Sequence, residues 1–321
     1  MIRWIHIAVA LLLLVLPSAC SEEKVAPPTR EPLRVGWFLW TGWYPMAIAQ
    51  ERGLFAKHGA RIEPVLYETY TNIFSDFAAG KLQGAFGGLY EMLKANPPGL
   101  RVVLVTDTSE GAEGLVVTPD IKTPRDLAGK RIGIQGAMSG SEFIITTLLR
   151  RNGLSRADLA LVDVDPEIVL GQMPVNIQGG YTWEPFLSKA LERGYRLLFT
   201  TADLPGMIPD VVAFHESALR ERRDDVQGFV NAWFEAVEWW VANPEEGGRI
   251  IARATGLKPE EITLAGCRLY DRAANRLAFT PGRDTSSLYF TGRKQIEFFT
   301  SMGDVSAAPD LDQTLYGGFV Q

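Results

Sequence analysis

Pro124-Arg125-Asp126-Leu127-Ala128-Gly129-Lys130-Arg131-Ile132-Gly133-Ile134 is the stretch that decides how this chain is built. Pro124–Leu127 reads as a helical turn and Arg131–Ile134 as a short apolar strand. A polar bend, Gln135-Gly136-Ala137-Met138-Ser139-Gly140-Ser141, then opens a helix over 141–151 that stops at Gly153. Strand, bend and helix in this order make the start of a βαβ unit. The stretch is decisive because the same alternation has already run once before it, so that here the pattern restarts.

Upstream, strands are expected at 33–38, 61–67, 84–86, 101–106 and 115–118. Helices are expected at 45–57, 72–79 and 90–95, with Gly80 as a C-terminal stop. Downstream, strands follow at 159–164, 179–182, 196–199 and 211–214, with a helix at 184–192. From Ser217 the chain reads as mostly helical, its longest piece running over 226–242. Two α/β blocks joined by two chain crossings follow from this, with mostly parallel sheets. No phosphate loop of the GxxxxGK type is present, and Gly133-Ile134-Gln135-Gly136 lacks the dinucleotide spacing. No cofactor is expected.

The first thirty residues point outside the cytoplasm. Arg3 is followed by an almost wholly apolar run from Ile5 to Leu16, then Pro17-Ser18-Ala19-Cys20 and the polar Ser21-Glu22-Glu23-Lys24. A charged start, a short apolar core and small residues at a cut describe an export signal over 1–19. The run is shorter than the roughly 20 residues that span a bilayer. With Cys20 at the cut, the segment resembles a bacterial lipoprotein signal, which implies lipidation of Cys20 and a lipid-anchored protein in the periplasm or at the cell surface. Ordinary cleavage and an uncleaved anchor remain open. Residues 20–32, with Pro27-Pro28 and no apolar periodicity, read as a flexible tether.

Composition narrows the classes. The chain has 321 residues and a formal net charge of −6, and no basic block, which argues against nucleic acid. Only two cysteines occur, Cys20 and Cys267, so a disulfide framework or a cysteine-built metal site is not expected. Cys267 is expected as a plain small residue on a C-terminal helix. The three histidines, His6, His58 and His215, are isolated, so neither a histidine triad nor a zinc site is expected, and no metal.

Four segments resemble the periplasmic solute-binding proteins of ABC importers, in the nitrate, sulfonate and taurine branch. These are Trp43-Tyr44-Pro45 with Gln50-Glu51-Arg52-Gly53-Leu54-Phe55; Asp126 to Gly133; Gly180-Tyr181-Thr182-Trp183-Glu184-Pro185; and Ile208-Pro209-Asp210-Val211-Val212. The resemblance covers the chain from about Leu33 onward. It implies an α/β fold of two lobes, the type II periplasmic binding protein, with a ligand cleft between lobes joined by two crossings. Lobe one would be 33–114 plus 213–321, and lobe two 115–212. It further implies a protein that captures a small solute and delivers it to an ABC permease, working as a monomer. Two alternatives share the fold: a sensor subunit for a membrane signalling protein, and a binding protein for thiamine pyrimidine precursors. With no positioned nucleophile or metal, the chain is read as not an enzyme.

Ligands of open α/β sheets sit beyond the C-terminal ends of strands. After the first strand come five aromatics in eight residues: Trp37, Phe38, Trp40, Trp43 and Tyr44. They either pack the core or line the cleft; Trp40, Thr41 and Trp43 are the preferred cleft residues. The bend from Asp107 to Gly114 is read as a loop suited to close backbone approach. Ser139 and Ser141 either cap their helix or hold an anion at its N-terminus. Trp183 and Glu184 end another strand, and Glu91 and Asp210 complete the polar set. The acids Asp107, Glu113, Glu142, Glu184 and Asp210 have no Arg or Lys among them. Either most cap helices or face water, or, with the aromatics, they suit an amine-bearing or zwitterionic solute, with its anionic end at Ser139–Ser141.

Overall fold

The computed structural model describes residues 30–136, 139–303 and 308–321. The export signal, Cys20 and most of the tether lie outside the described residues. Among the described residues no helix is long and apolar enough to cross a membrane.

Strands β1 (Leu33–Trp37), β2 (Ile62–Leu66), β3 (Gly84–Gly88) and β4 (Leu100–Ser109) come first, interleaved with helices α1 (Pro45–Glu51), α2 (Leu54–Lys57), α3 (Tyr70–Ala78) and α4 (Leu89–Ala95). The second block holds β5 (Glu113–Val117), β6 (Arg131–Ile134), β7 (Ala160–Asp163), β8 (Gly179–Trp183) and β9 (Arg196–Thr200). Its helices are α5 (Gly140–Arg151), α6 (Val169–Gln172) and α7 (Phe186–Glu192). The chain then returns through β10 (Pro209–His215) to α8 (Glu216–Glu221), α9 (Arg223–Ala242), α10 (Pro244–Thr255), β11 (Cys267–Leu269), α11 (Arg272–Ala278) and α12 (Leu288–Ser301). Six strands form one sheet in the order β11-β4-β10-β3-β1-β2, and five form the other in the order β7-β6-β8-β5-β9. The protein is thus a mixed α/β fold of two lobes, as the alternation of strand and helix implies.

Three details differ from the sequence reading. The sheets are not mostly parallel. β1, β2 and β3 run parallel, as do β6, β7 and β8, but β10 is antiparallel to β3 and β4, and β5 is antiparallel to β8 and β9. β5 and β10 are the strands that carry the chain from one sheet to the other, the edge strand β11 is likewise antiparallel to β4, and strand direction leaves no mark in a local hydrophobic pattern. The passages fall at 110–112 and 201–208, so the expected lobe borders at 114 and 212 lie inside β5 and β10. The expected helix over 45–57 is two helices, because Gly53 adopts φ +65°, a left-handed turn that glycine takes at little cost.

Cys267 is on no helix. It opens the edge strand β11, whose partners on β4 are Ser109, Thr108 and Asp107. The pairing is long-range, so nothing near Cys267 in sequence announces it.

The core of the first lobe is built on α9. Val226, Phe229, Val230, Trp233, Phe234, Val237 and Trp240 recur at helical spacing and are all buried. Phe229 stacks on Phe55 at 5.9 Å and meets Phe214 edge-on at 5.5 Å, while Trp233 lies 5.3 Å from Phe86. Phe86 also holds Trp43 at 5.5 Å, which ties the core directly to the loop after β1.

Candidate ligand-binding site

The loop after β1 turns through a short 3-10 helix, Thr41–Trp43, that places its aromatics against the ends of the neighbouring strands. A cavity of about 60 Å³ opens there. That is far below the roughly 300–1,000 Å³ of sites for drug-sized molecules. Both lobes contribute to its wall. Trp40, Trp43, Tyr70, Glu91, Asp210 and Gln295 come from the first, and Glu113, Gln135, Ser141, Phe143, Tyr181 and Trp183 from the second.

The lobes meet around this cavity. The rings of Tyr70 and Trp183 meet edge-on at 5.8 Å, and Tyr90 stacks on Phe143 at 5.7 Å. The Gly140 N–H donates to Glu91 Oε1 at 3.1 Å, and Lys189 Nζ pairs with Glu261 at 2.6 Å.

Of the ten residues expected in the cleft, six line the cavity: Trp40, Trp43, Glu91, Ser141, Trp183 and Asp210. Four stand elsewhere. The Thr41 hydroxyl donates to the carbonyl of Thr263. Asp107 lies behind the wall, fully buried, accepting from Trp40 Nε1 at 2.9 and 3.1 Å. Ser139 caps α5, its hydroxyl accepting from the Glu142 N–H at 3.2 Å. Glu184 accepts from the N–H and hydroxyl of Ser188 in the first turn of α7, at 3.2 and 2.8 Å. Glu142, counted among the cleft acids, is instead buried against Arg156.

Other cavity residues escaped the sequence reading. Tyr70 opens α3, two residues before the expected start of that helix. Tyr181 faces inward from β8, and its hydroxyl donates to Glu113 at 2.5 Å. Gln295 arrives from α12, more than eighty residues from any other wall residue, with no local signal at all.

The electrostatics of the wall are one-sided. Glu91, Glu113 and Asp210 all line it, and no Lys, Arg or His is among the described lining residues. Burial pushes the Glu113 carboxyl up to about 7, against the opposing pull of the Tyr181 hydrogen bond. Burial likewise raises Asp210, and the neighbouring Asp107 and Glu113 raise it further. Asp107 is raised to about 6 by burial, partly offset by the Trp40 N–H. The two aspartates are directly paired across β4 and β10 and hydrogen-bond to each other, so they titrate as a pair. The Cys267 thiol is raised by burial and by the nearby Asp107 and Asp210.

Three polar atoms of wall residues are buried without a partner: Trp43 Nε1, Trp183 Nε1 and Gln295 Oε1. Buried polar groups are normally hydrogen-bonded, so these three atoms stand out in the wall.

A family model described as NMT1-like matches residues 26–254. The chain belongs to the NMT1-like family. This NMT1-like chain is also similar to the taurine-binding periplasmic protein of Escherichia coli (strain K12), at 26% identity over 297 residues, covering 86% of this chain and 89% of the relative. Among solved structures it resembles the periplasmic aliphatic sulphonate binding protein SsuA from Escherichia coli, with a TM-score of 0.73 and 20% identity over 91% of this chain and 99% of SsuA. It also resembles the desulfurization enzyme DszB, with a TM-score of 0.67 and 18% identity over 91% and 98% of the two chains. At such identities the two structures establish the fold alone. The family resemblance read from the four sequence motifs is borne out, and with it the two-lobed fold.

Proposed function

We propose that this chain is an extracytoplasmic solute-binding protein that captures a small amine-bearing solute and delivers it to an ABC importer. The delivery role is supported by the family and by the likeness to a taurine-binding periplasmic protein. The solute class rests on one observation: three carboxylates and an aromatic wall surround the cavity, with no cationic side chain among the described lining residues. Carboxylates attract an ammonium group, and the faces of Trp and Tyr add cation–π attraction of about 0.5–2 kcal/mol per ring. An N–H of the solute can satisfy Gln295 Oε1, and an acceptor on it the indole N–H groups.

The two chain passages at 110–112 and 201–208 serve as the hinge, and the contacts from Glu91 to Gly140 and from Lys189 to Glu261 close the lobes. Lobe one is the part carrying the first sheet and lobe two the part carrying the second. Export through the 1–19 segment and lipidation of Cys20 would hold the monomer at the membrane surface, beside the permease that receives the solute.

The protein is a receptor rather than an enzyme. The cysteine beside the site, Cys267, has its thiol raised, the opposite of what a nucleophile needs. A thermal-shift comparison of choline, putrescine, taurine, methanesulfonate and nitrate on the mature chain tests the solute class. Stabilisation by choline or putrescine supports it; stabilisation by methanesulfonate or nitrate instead overturns it.

A further inference from the structure

Glu91 stands on α4 in the first lobe, yet its carboxylate reaches the first turn of α5 in the second. There Oε1 accepts the Gly140 N–H at 3.1 Å. α5 is twelve residues long, so its N-terminus presents an appreciable positive partial charge. The chain leaves room for the carboxylate on both sides. A Cβ at Gly140 would fall 2.5 Å from Glu91 Oε1, and a Cβ at Gly88 would fall 2.3 Å from Oε2. The two serine hydroxyls at this helix end are engaged. Ser139 and Ser141 share a hydrogen bond of 2.7 Å, Ser139 caps the Glu142 N–H, and Ser141 accepts the Gln135 N–H at 3.1 Å.

A helix N-terminus that faces a ligand cavity is where the anionic group of a solute would dock. Here the protein's own carboxylate occupies that place. We propose that Glu91 is a specificity-determining residue, a resident anion at the α5 N-terminus that bars sulfonate and carboxylate groups from the cleft. Resting on the amine reading of the site, this narrows the solute to amines that carry no anionic group. A zwitterion such as taurine would have to displace Glu91 and bring its sulfonate beside Glu113 and Asp210. Because Glu91 spans the lobes, it also makes the closing contact that a solute's anion would otherwise make.

Isothermal titration of the mature chain with choline, taurine and methanesulfonate tests this in wild type, Glu91→Ala and Glu91→Gln. Wild type is expected to bind choline and neither sulfonate. Glu91→Ala vacates the helix end, so its taurine affinity should rise by about tenfold or more, the order of effect of a partly buried helix terminus. Acetate should then restore any choline affinity that Glu91→Ala loses, by refilling the position. Glu91→Gln removes the charge but keeps the position filled, and should gain no taurine binding. Glu91→Ser serves as a second emptied variant should the alanine form fail to fold. Emptied variants that bind choline yet gain no taurine, with no rescue by acetate, would overturn the role of Glu91 and leave the amine reading standing. Taurine gained only on emptying, in a protein whose wild type binds no amine, would sink the amine reading and leave Glu91 as the resident anion.

Discussion

Asp107 and Asp210 are direct partners on the antiparallel strands β4 and β10 and hydrogen-bond to each other, so the pair holds a proton between them. Asp210 faces the cavity, whereas Asp107 is covered by Trp40. Two carboxylates this close cannot both ionise freely in a buried setting. On the proposed amine reading, a cation arriving at Asp210 would supply the compensation that the proton otherwise gives.

Amine binding should therefore release protons and strengthen as pH rises from 5 to 8. Glu113, raised to about 7, and Asp107, raised to about 6, set that window. The sign for stability is opposite. Groups whose folded pKa is raised favour the folded state at low pH, and that contribution fades as pH rises through the folded value. For Glu113 it is full below its ordinary value of 4.5 and gone above about 7. Titration calorimetry of choline in two buffers of unlike ionisation enthalpy should show proton release near pH 6. Melting curves without choline should lose stability from pH 5 to 8 more steeply in wild type than in Glu113→Gln. Equal slopes, with no proton release, would contradict the shared-proton picture.

Trp40 is both a wall of the cavity and the donor that holds Asp107. Trp40→Phe keeps a ring but removes the N–H that meets Asp107 at 2.9 Å. Leaving a buried carboxylate short of a donor costs about 1–3 kcal/mol. Urea unfolding should show a loss of that size at pH 8 and a smaller one at pH 5, where the pair is protonated. A pH-independent loss would mean that only packing was removed.

Trp183 offers its ring from the second lobe against Tyr70 of the first. Trp183→Leu preserves an apolar surface and removes the π face. Choline affinity should fall by about five- to thirtyfold, the range that 1–2 kcal/mol of cation–π attraction gives. Unfolding stability should move much less, because Trp183 is only partly buried. A fall in stability without a fall in affinity would make Trp183 a packing residue alone.

The architecture was legible where it rests on local patterns. Arg131–Ile134 is a strand because an apolar run sits between polar bends, and α9 shows its buried face in the spacing of Phe229, Trp233 and Trp240. What escaped depends on partners remote in sequence. Asp107, Thr108 and Ser109 look like loop residues, yet all three lie on β4 and are fully buried. Their polarity is satisfied by Trp40, Asp210, Thr201 and the Ile208 carbonyl, none of them local. The acidic character of the site could be read in advance, but not which acids take part. Glu184 serves its own helix and Glu142 serves Arg156, while Glu91 gains its place only when α4 meets the first turn of α5.

Neutralising the cavity without changing its shape tests the central claim most directly. Choline and methanesulfonate would be titrated into wild type and into the Glu113→Gln, Asp210→Asn double variant at pH 8. If the site is built for a cation, wild type binds choline and the double variant binds it at least about tenfold more weakly, since each removed charge partner is worth on the order of 1 kcal/mol or more when desolvated. Choline affinity that survives in the double variant, or methanesulfonate bound by wild type, would contradict the account.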